Sequence, residues 1–253
     1  MVKYRYKCNG TYGICKDPQN KAYDPRNANL VCINGQLMLL DLIEHLETVE
    51  SFELIQSNTD GLIIKIHRKD FDKVDDICYE WESRCNMELE FDYISEIWQG
   101  DVNNYVFRQC DGKIERKGAY VKELSSMDND LPIINKAILD LMLKGIPIEA
   151  TINNCDDLVM FQKICKLTSN YSYVTHNDKK YYNKCYRGFA SKSSFDGPVK
   201  KIKEDGRADK FATTSANSFI ENGDLNGVKV PMRLDKDWYI EEAKKRAEKF
   251  CLV

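Results

Sequence analysis

The residue best suited by type and setting to do chemistry is Asp60. It belongs to Ser57-Asn58-Thr59-Asp60-Gly61, a run of turn formers between two short apolar runs, residues 52–56 and 62–67. Such a pattern reads as a β-hairpin whose acidic tip points away from the core. A carboxylate there is a good magnesium ligand, because magnesium favours oxygen donors and keeps several waters. Displacement at phosphorus by two metals, held about 3.5–4 Å apart, needs at least two acidic residues from different elements. Asp60 supplies one, and Asn58 and Thr59 are the polar groups beside it. Taken alone, Asn-Thr-Asp-Gly is also an ordinary turn sequence.

A second feature is electrostatic. Between Lys179 and Lys203 stand eight cations, Lys179, Lys180, Lys184, Arg187, Lys192, Lys200, Lys201 and Lys203, opposed only by Asp196, for a net +7. Tyr181, Tyr182, Tyr186 and Phe189 lie among them. Cations interleaved with rings suit a phosphate backbone. A solvated surface loop has the same composition.

The 253 residues suffice for one large domain or two small ones. Hydrophobic residues are 43% and charged residues 30%, with a formal net charge of −3, less basic than a sequence-independent DNA binder usually is. No window approaches the roughly 20 apolar residues of a membrane span. The best candidate, 37–43, is broken by Asp41, and the basic start, 1–7, has no apolar segment after it to make a secretory signal. None of the ten cysteines forms a C-x-x-C pair, so buried free thiols in a reducing cytoplasm are expected.

The elements that must position Asp60 follow in order. Asp24 and Pro25 sign the start of a long helix reaching about Glu50, with Leu30, Val31, Leu37, Leu40, Ile43 and Leu46 at helical spacing. After the hairpin come a helix over 69–85, a strand over 88–98, and a second hairpin turning at Asp111-Gly112. Beyond a boundary near Leu124, helices fit 131–144, 156–166 and 235–250, and 168–231 reads as irregular. The fold class expected is α+β, an antiparallel sheet covered by helices on one face, followed by a mostly helical domain.

Three segments, in this order, resemble the family B DNA polymerases. Asn9-Gly10-Thr11-Tyr12-Gly13, with Arg5 four residues ahead of Asn9, resembles the motif of a Lys four residues before Asn-small-x-Tyr-Gly. Asn58-Thr59-Asp60-Gly61 resembles the Asp-Thr-Asp-Ser hairpin of the palm. Asn103-Asn104-Tyr105, with Lys117-Gly118 after the turn, resembles the basic-aromatic segment that grips the primer. The wording of 23–29, 56–61, 152–157 and 234–240 is similar to bacteriophage members from viruses of Gram-positive bacteria, so the resemblance runs along nearly the whole chain.

The resemblance implies the end of the fingers at 1–20, the palm at 21–123 and the thumb at 124–253. It implies Asp60 as a direct ligand of a two-magnesium site, with Arg5, Asn9, Tyr12 and Gly13 at the dNTP. Asn103, Asn104, Tyr105, Lys117 and Gly118 would hold primer-template DNA. Asn58 replaces the usual first Asp, Gly61 the usual Ser, and Arg5 the usual Lys, with Lys3 and Lys7 as alternatives. No Asp-x-x-Ser-Leu-Tyr-Pro string occurs, so the motif that brings the second Asp is expected from an N-terminal partner chain that also carries the exonuclease. A split subunit in a cytoplasm, the host's if the chain is viral, is the first explanation, and a truncated product the second. The competing function is a non-catalytic DNA-binding module derived from a palm and thumb.

Overall fold

The first elements of the chain are strand β1 (Val2–Arg5) and helix α1 (Asn9–Lys16), followed by helix α2 (Pro25–Leu46). The computed structural model describes residues 2–5, 9–58, 61–125 and 129–250, with side chains described from residue 12 onward. Two units divide the chain: 1–102 with 106–115, and 103–105 with 116–253.

The start of α2 obeys its sequence signal. The Asp24 carboxylate accepts from the backbone N–H groups of Arg26 at 3.0 Å and Asn27 at 3.1 Å, and Pro25 fills the first turn, where no N–H is needed. Its end comes four residues earlier than expected. The Thr48 hydroxyl donates to the His45 carbonyl at 2.7 Å, and Thr48 and Val49 make tighter bonds to His45 and Leu46, so the last turn does not continue the helix. The inward side of α2 is Ala28, Gly35, Leu39, Leu42 and Leu46. Leu30, Leu37 and Leu40, which spacing had grouped with the core, are exposed on another face.

Strands β2 (Glu53–Ser57) and β3 (Gly61–Lys65) form the expected hairpin, with a bulge between Leu54 and Gln56. A 3₁₀ turn (Arg68–Asp70) leads into α3 (Phe71–Cys85), which ends where Asn86 takes a left-handed conformation, φ 51°. Strands β4 (Asp92–Asp101), β5 (Asn104–Gln109) and β6 (Ile114–Lys117) complete a six-stranded sheet in the order β2-β3-β1-β4-β5-β6. Strand β4 begins later than expected because the Leu89 N–H is taken by the Glu82 carboxylate at 2.5 Å. Helices α2 and α3 cover one face of β3: Leu39, Leu42, Leu46, Val74, Cys78 and Trp81 pack with Leu62 and Ile64. The Trp81 indole N–H donates to the Met38 carbonyl at 3.0 Å.

The second unit carries helices α4 (Pro132–Lys144) and α5 (Ile148–Asn153). Where a helix over 156–166 was expected, a short 3₁₀ turn (Leu158–Phe161) gives way to β7 (Lys163–Lys166). The reason is pairing: Cys165 sits opposite Tyr186, in the strand over 185–190. The stretch 168–231, read as irregular, contains β8 (Tyr173–His176), β9 (Lys179–Tyr181), β10 (Cys185–Ala190), β11 (Lys200–Ile202), β12 (Ala208–Lys210) and β13 (Ser218–Ile220). They form two antiparallel sheets, β13-β10-β7 and β12-β11-β8-β9. Helix α6 (Lys236–Ala247) closes the unit and contacts α4 and α5. Its Tyr239 hydroxyl donates to the Phe161 carbonyl at 2.7 Å and accepts from the Ala190 N–H at 3.1 Å, tying α6 to both the 3₁₀ turn and β10.

The fold class is α+β with antiparallel sheets and several helices. The expectation of a mostly helical second half is corrected: among the described residues three α-helices share it with seven short strands. The strands escaped notice because most are only three or four residues long and too polar to show alternation.

Candidate functional site

Hairpin β2-β3 is closed by the Asn58 N–H, which donates to the Gly61 carbonyl at 2.9 Å, with Ser57 opposite Leu62. The residues between, Thr59 and Asp60, lie outside the described residues. On the other side of β3 runs β1, antiparallel, and its register sets Arg5 opposite Gly61 and Tyr4 opposite Leu62. The backbone thus brings the end of β1, which carries Arg5, to the same end of the sheet as the Asn58–Gly61 closure.

Asn9 begins α1, which presents Tyr12 and Gly13. The Tyr12 hydroxyl accepts from the Lys16 ammonium at 2.7 Å, and that ammonium also lies 5.1 Å from the ring centre. The hydrogen bond to Tyr12 raises the Lys16 ammonium above its ordinary range. Gly13 is exposed, and a Cβ added there would meet nothing within 4 Å. The face of α1 at Gly13 is therefore open.

In the second unit the structure brings Asn103, Asn104 and Gly118 together. Gly118 has φ +110°, and a Cβ added there would lie 2.6 Å from the Asn103 carbonyl oxygen and collide with the Asn104 amide. Glycine is required by both conformation and space. Next to it, Lys117 is exposed and makes no ion pair among the described residues. Tyr105 is buried, 6% exposed, so its ring is not presented at the surface. Sequence reading missed Tyr120, two residues beyond Gly118. Its hydroxyl accepts from Lys249 at 2.8 Å, and Lys249 and Arg246 lie 4.6 and 5.1 Å from its ring centre. The signal available was a tyrosine following a basic pair and a helix ending in cations.

The basic stretch 179–203 is not one patch. Lys201 and Lys203 lie over the Tyr171 ring at 4.4 and 5.6 Å, and Lys203 pairs with Asp209 at 3.2 Å. Arg187 donates to the carbonyls of Asn222 and Gly223. These cations serve the fold.

Among the described residues no group of three His, Cys, Asp or Glu side chains could hold a metal ion. The sequence Asn58-Thr59-Asp60-Gly61 offers one carboxylate and the Asn58 amide, which fits one ligand of a magnesium pair but not the pair itself, and Glu53 of β2 is paired with Lys65. The eight described cysteines are free thiols. No described helix is long and apolar enough to cross a membrane.

No protein-family model matches the chain. No curated protein matches it either. Its fold matches a solved structure, the family B DNA polymerase from the hyperthermophilic archaeon Pyrobaculum calidifontis, with a TM-score of 0.58 over 96% of this chain at 16% sequence identity. The chain spans 32% of that polymerase's length. At this identity the likeness is one of fold.

Proposed function

We propose that the chain forms the C-terminal palm and thumb part of a DNA-directed DNA polymerase, with Asp60 as the carboxylate it gives to a magnesium-dependent nucleotidyl transfer. The observation that carries this reading is the Asn58–Gly61 bond that closes hairpin β2-β3 at one end of a helix-backed sheet, with Asp60 immediately before Gly61 in the sequence. The fold likeness over 96% of the chain supports it. In this reading 1–20 ends the fingers, 21–123 is the palm and 124–253 the thumb. When bound, the magnesium pair supplies positive charge where the phosphoryl group is displaced. Arg5, Asn9, Tyr12 and Gly13 bind the dNTP, and Asn103, Asn104, Lys117 and Gly118 hold the primer-template, with Tyr105 packed behind them.

The second carboxylate comes from polymerase sequence outside this chain, the N-terminal part that also carries the exonuclease. One surface is suited to receiving it. Leu30, Ile33, Leu37 and Leu40 of α2 are 53, 50, 56 and 49% exposed, and their spacing lays them along one seam of the helix. An apolar seam of this kind is what a second helix would cover.

The test is reconstitution with an N-terminal polymerase fragment, primer-template, magnesium and dNTPs. Extension that falls at least about 100-fold in Asp60→Ala supports the assignment. Equal extension by that variant refutes it. Asn58, which lacks the usual charge, favours a second reading, a DNA-binding module without catalysis. That reading is supported if the reconstituted complex binds primer-template tightly and extends nothing.

A further inference from the structure

The sheet β12-β11-β8-β9 sets four residues opposite one another in a single row. Lys210 faces Lys200, Lys200 faces Thr175, and Thr175 faces Lys180. Directly paired residues point to the same side, so the row lies on one face. The neighbouring row, Asp209, Lys201, Val174 and Tyr181, points to the other side, where Val174 and Tyr181 pack in the core with Phe211 and Tyr186. The lysine row therefore faces outward. Lys180 and Lys210 are exposed, and Lys200 is half-buried.

This arrangement works against the fold. Like charges directly opposite on adjacent strands destabilise a sheet. Lys200 and Lys210 are such a pair, and among the described residues none of the three lysines makes an ion pair. The acid on these strands, Asp209, is on the opposite face, bound by Tyr171 at 2.8 Å and Lys203 at 3.2 Å. Rings accompany the row: Lys180 lies 4.9 Å over Tyr173, whose centre is 5.7 Å from that of Tyr182, a ring 67% exposed. Three strand spacings of about 4.8 Å make the row about 14 Å long. At about 3.4 Å of axis per charge, that length covers about four intervals between successive phosphates of one strand of a duplex.

We propose that Lys210, Lys200, Thr175 and Lys180 form a stripe that grips the phosphate backbone of duplex DNA without reading sequence. The choice of DNA over another polyanion rests on the polymerase reading. The stripe deepens that reading by naming a contact line that includes Lys210, which lies outside the basic stretch of the sequence. Three lysines neutralise three phosphates, so salt dependence is the direct readout.

The experiment measures binding of the full chain to a 30-base-pair duplex of random sequence by fluorescence anisotropy between 50 and 200 mM salt. The triple variant Lys180→Gln/Lys200→Gln/Lys210→Gln is expected to bind about tenfold more weakly at 100 mM salt, with a log–log salt slope shallower by about 2.7. The corresponding triple arginine variant is expected to keep the slope. If the triple glutamine variant does not fold, Lys200→Gln alone should change the slope by about 0.9. An unchanged slope in a wild type that does bind DNA overturns the stripe and leaves the polymerase reading standing. Absence of binding by the wild type at 50 mM salt also overturns the stripe, and the polymerase reading then stands or falls by the reconstitution described above. Equal affinity and equal slope for poly-glutamate overturn the assignment to DNA in favour of an acidic protein.

Discussion

Gly118 is packed so closely against Asn104 that a side chain cannot be added to it without displacing a neighbour. The backbone there has φ +110°, and the Asn103 carbonyl closes the space from a second direction, 2.6 Å from where a Cβ would stand. The motif residues 103, 104 and 118 are separated in sequence by the turn of the second hairpin, and their contact is a property of the fold.

Replacing Gly118 by Ala adds a strained backbone conformation to an overlap with two groups. The first costs about 1–2 kcal/mol and the second about 1–3 kcal/mol. Gly118→Ala is expected to lower stability by at least about 2 kcal/mol in urea titration. In a double-mutant cycle, Asn104→Ala should recover part of that loss, because it removes one of the two obstacles. Full additivity would mean that Asn104 does not confine Gly118.

Tyr239 is buried with both hydrogen-bonding capacities used. Its Oη donates to Phe161 and accepts from Ala190, and burial pushes its ionisation well above the ordinary phenol range. Tyr239→Phe keeps the ring and its edge-on contact with Phe161, whose centre is 5.0 Å away, but leaves a buried carbonyl and a buried N–H unpaired. A loss of about 2–4 kcal/mol is expected, since each orphaned group costs about 1–3 kcal/mol. A loss below about 0.5 kcal/mol would show that water replaces the hydroxyl.

Cys165 gives the fold a dependence on alkaline pH. Burial pushes its thiol up to about 12. An unfolded thiol ionises near 8.5. The unfolded state therefore sheds its proton first, and stability falls as pH rises above about 8.5 until the folded thiol also ionises near 12. Between pH 7.5 and 10 the wild type should lose about 1–2 kcal/mol more than Cys165→Ala, read from urea midpoints at the two pH values. Parallel pH profiles would place the thiol in contact with solvent.

Much of the first unit was legible because its signals are local. Asp24 and Pro25 start α2, apolar runs flank the acidic turn, and Asp111-Gly112 turns the second hairpin, where Gly112 has φ 90°. The end of α2 was not legible, because it depends on which carbonyl the Thr48 hydroxyl takes. Nor was its buried side. The helix carries two apolar faces, and periodicity cannot say which of Leu37 and Leu39 meets the sheet. In the second unit, strands three residues long are fixed by partners far away, as Cys165 is by Tyr186. The tight turn at Asn177 and Asp178, both left-handed at φ 46° and 62°, follows from residue types that tolerate this conformation. The strands it joins are too short for sequence to announce. The same holds for the candidate site. The motif order identified the residues, but only strand register sets Arg5 opposite Gly61 and Lys210 opposite Lys200.

The exposed seam of α2 separates stability from assembly. Leu30, Ile33, Leu37 and Leu40 are each about half exposed, so charging one of them removes little packing from this chain. Leu37→Glu is expected to change its stability by less than about 0.5 kcal/mol, as exposed substitutions generally do. If the partner chain proposed above lays a helix along this seam, the same substitution buries an unpaired charge in the interface. Affinity should then fall at least about tenfold, because such a charge costs more than 1.4 kcal/mol. Leu39→Glu is the contrasting variant: Leu39 is 3% exposed among Leu42, Val74 and Trp81, so its replacement should unfold the chain and not merely disconnect it. Titrating the N-terminal fragment into wild type and Leu37→Glu by calorimetry, with thermal midpoints measured alongside, reads both effects. Equal affinity for the two chains would mean that the partner docks elsewhere. A lowered midpoint for Leu37→Glu alone would mean that the seam packs within this chain.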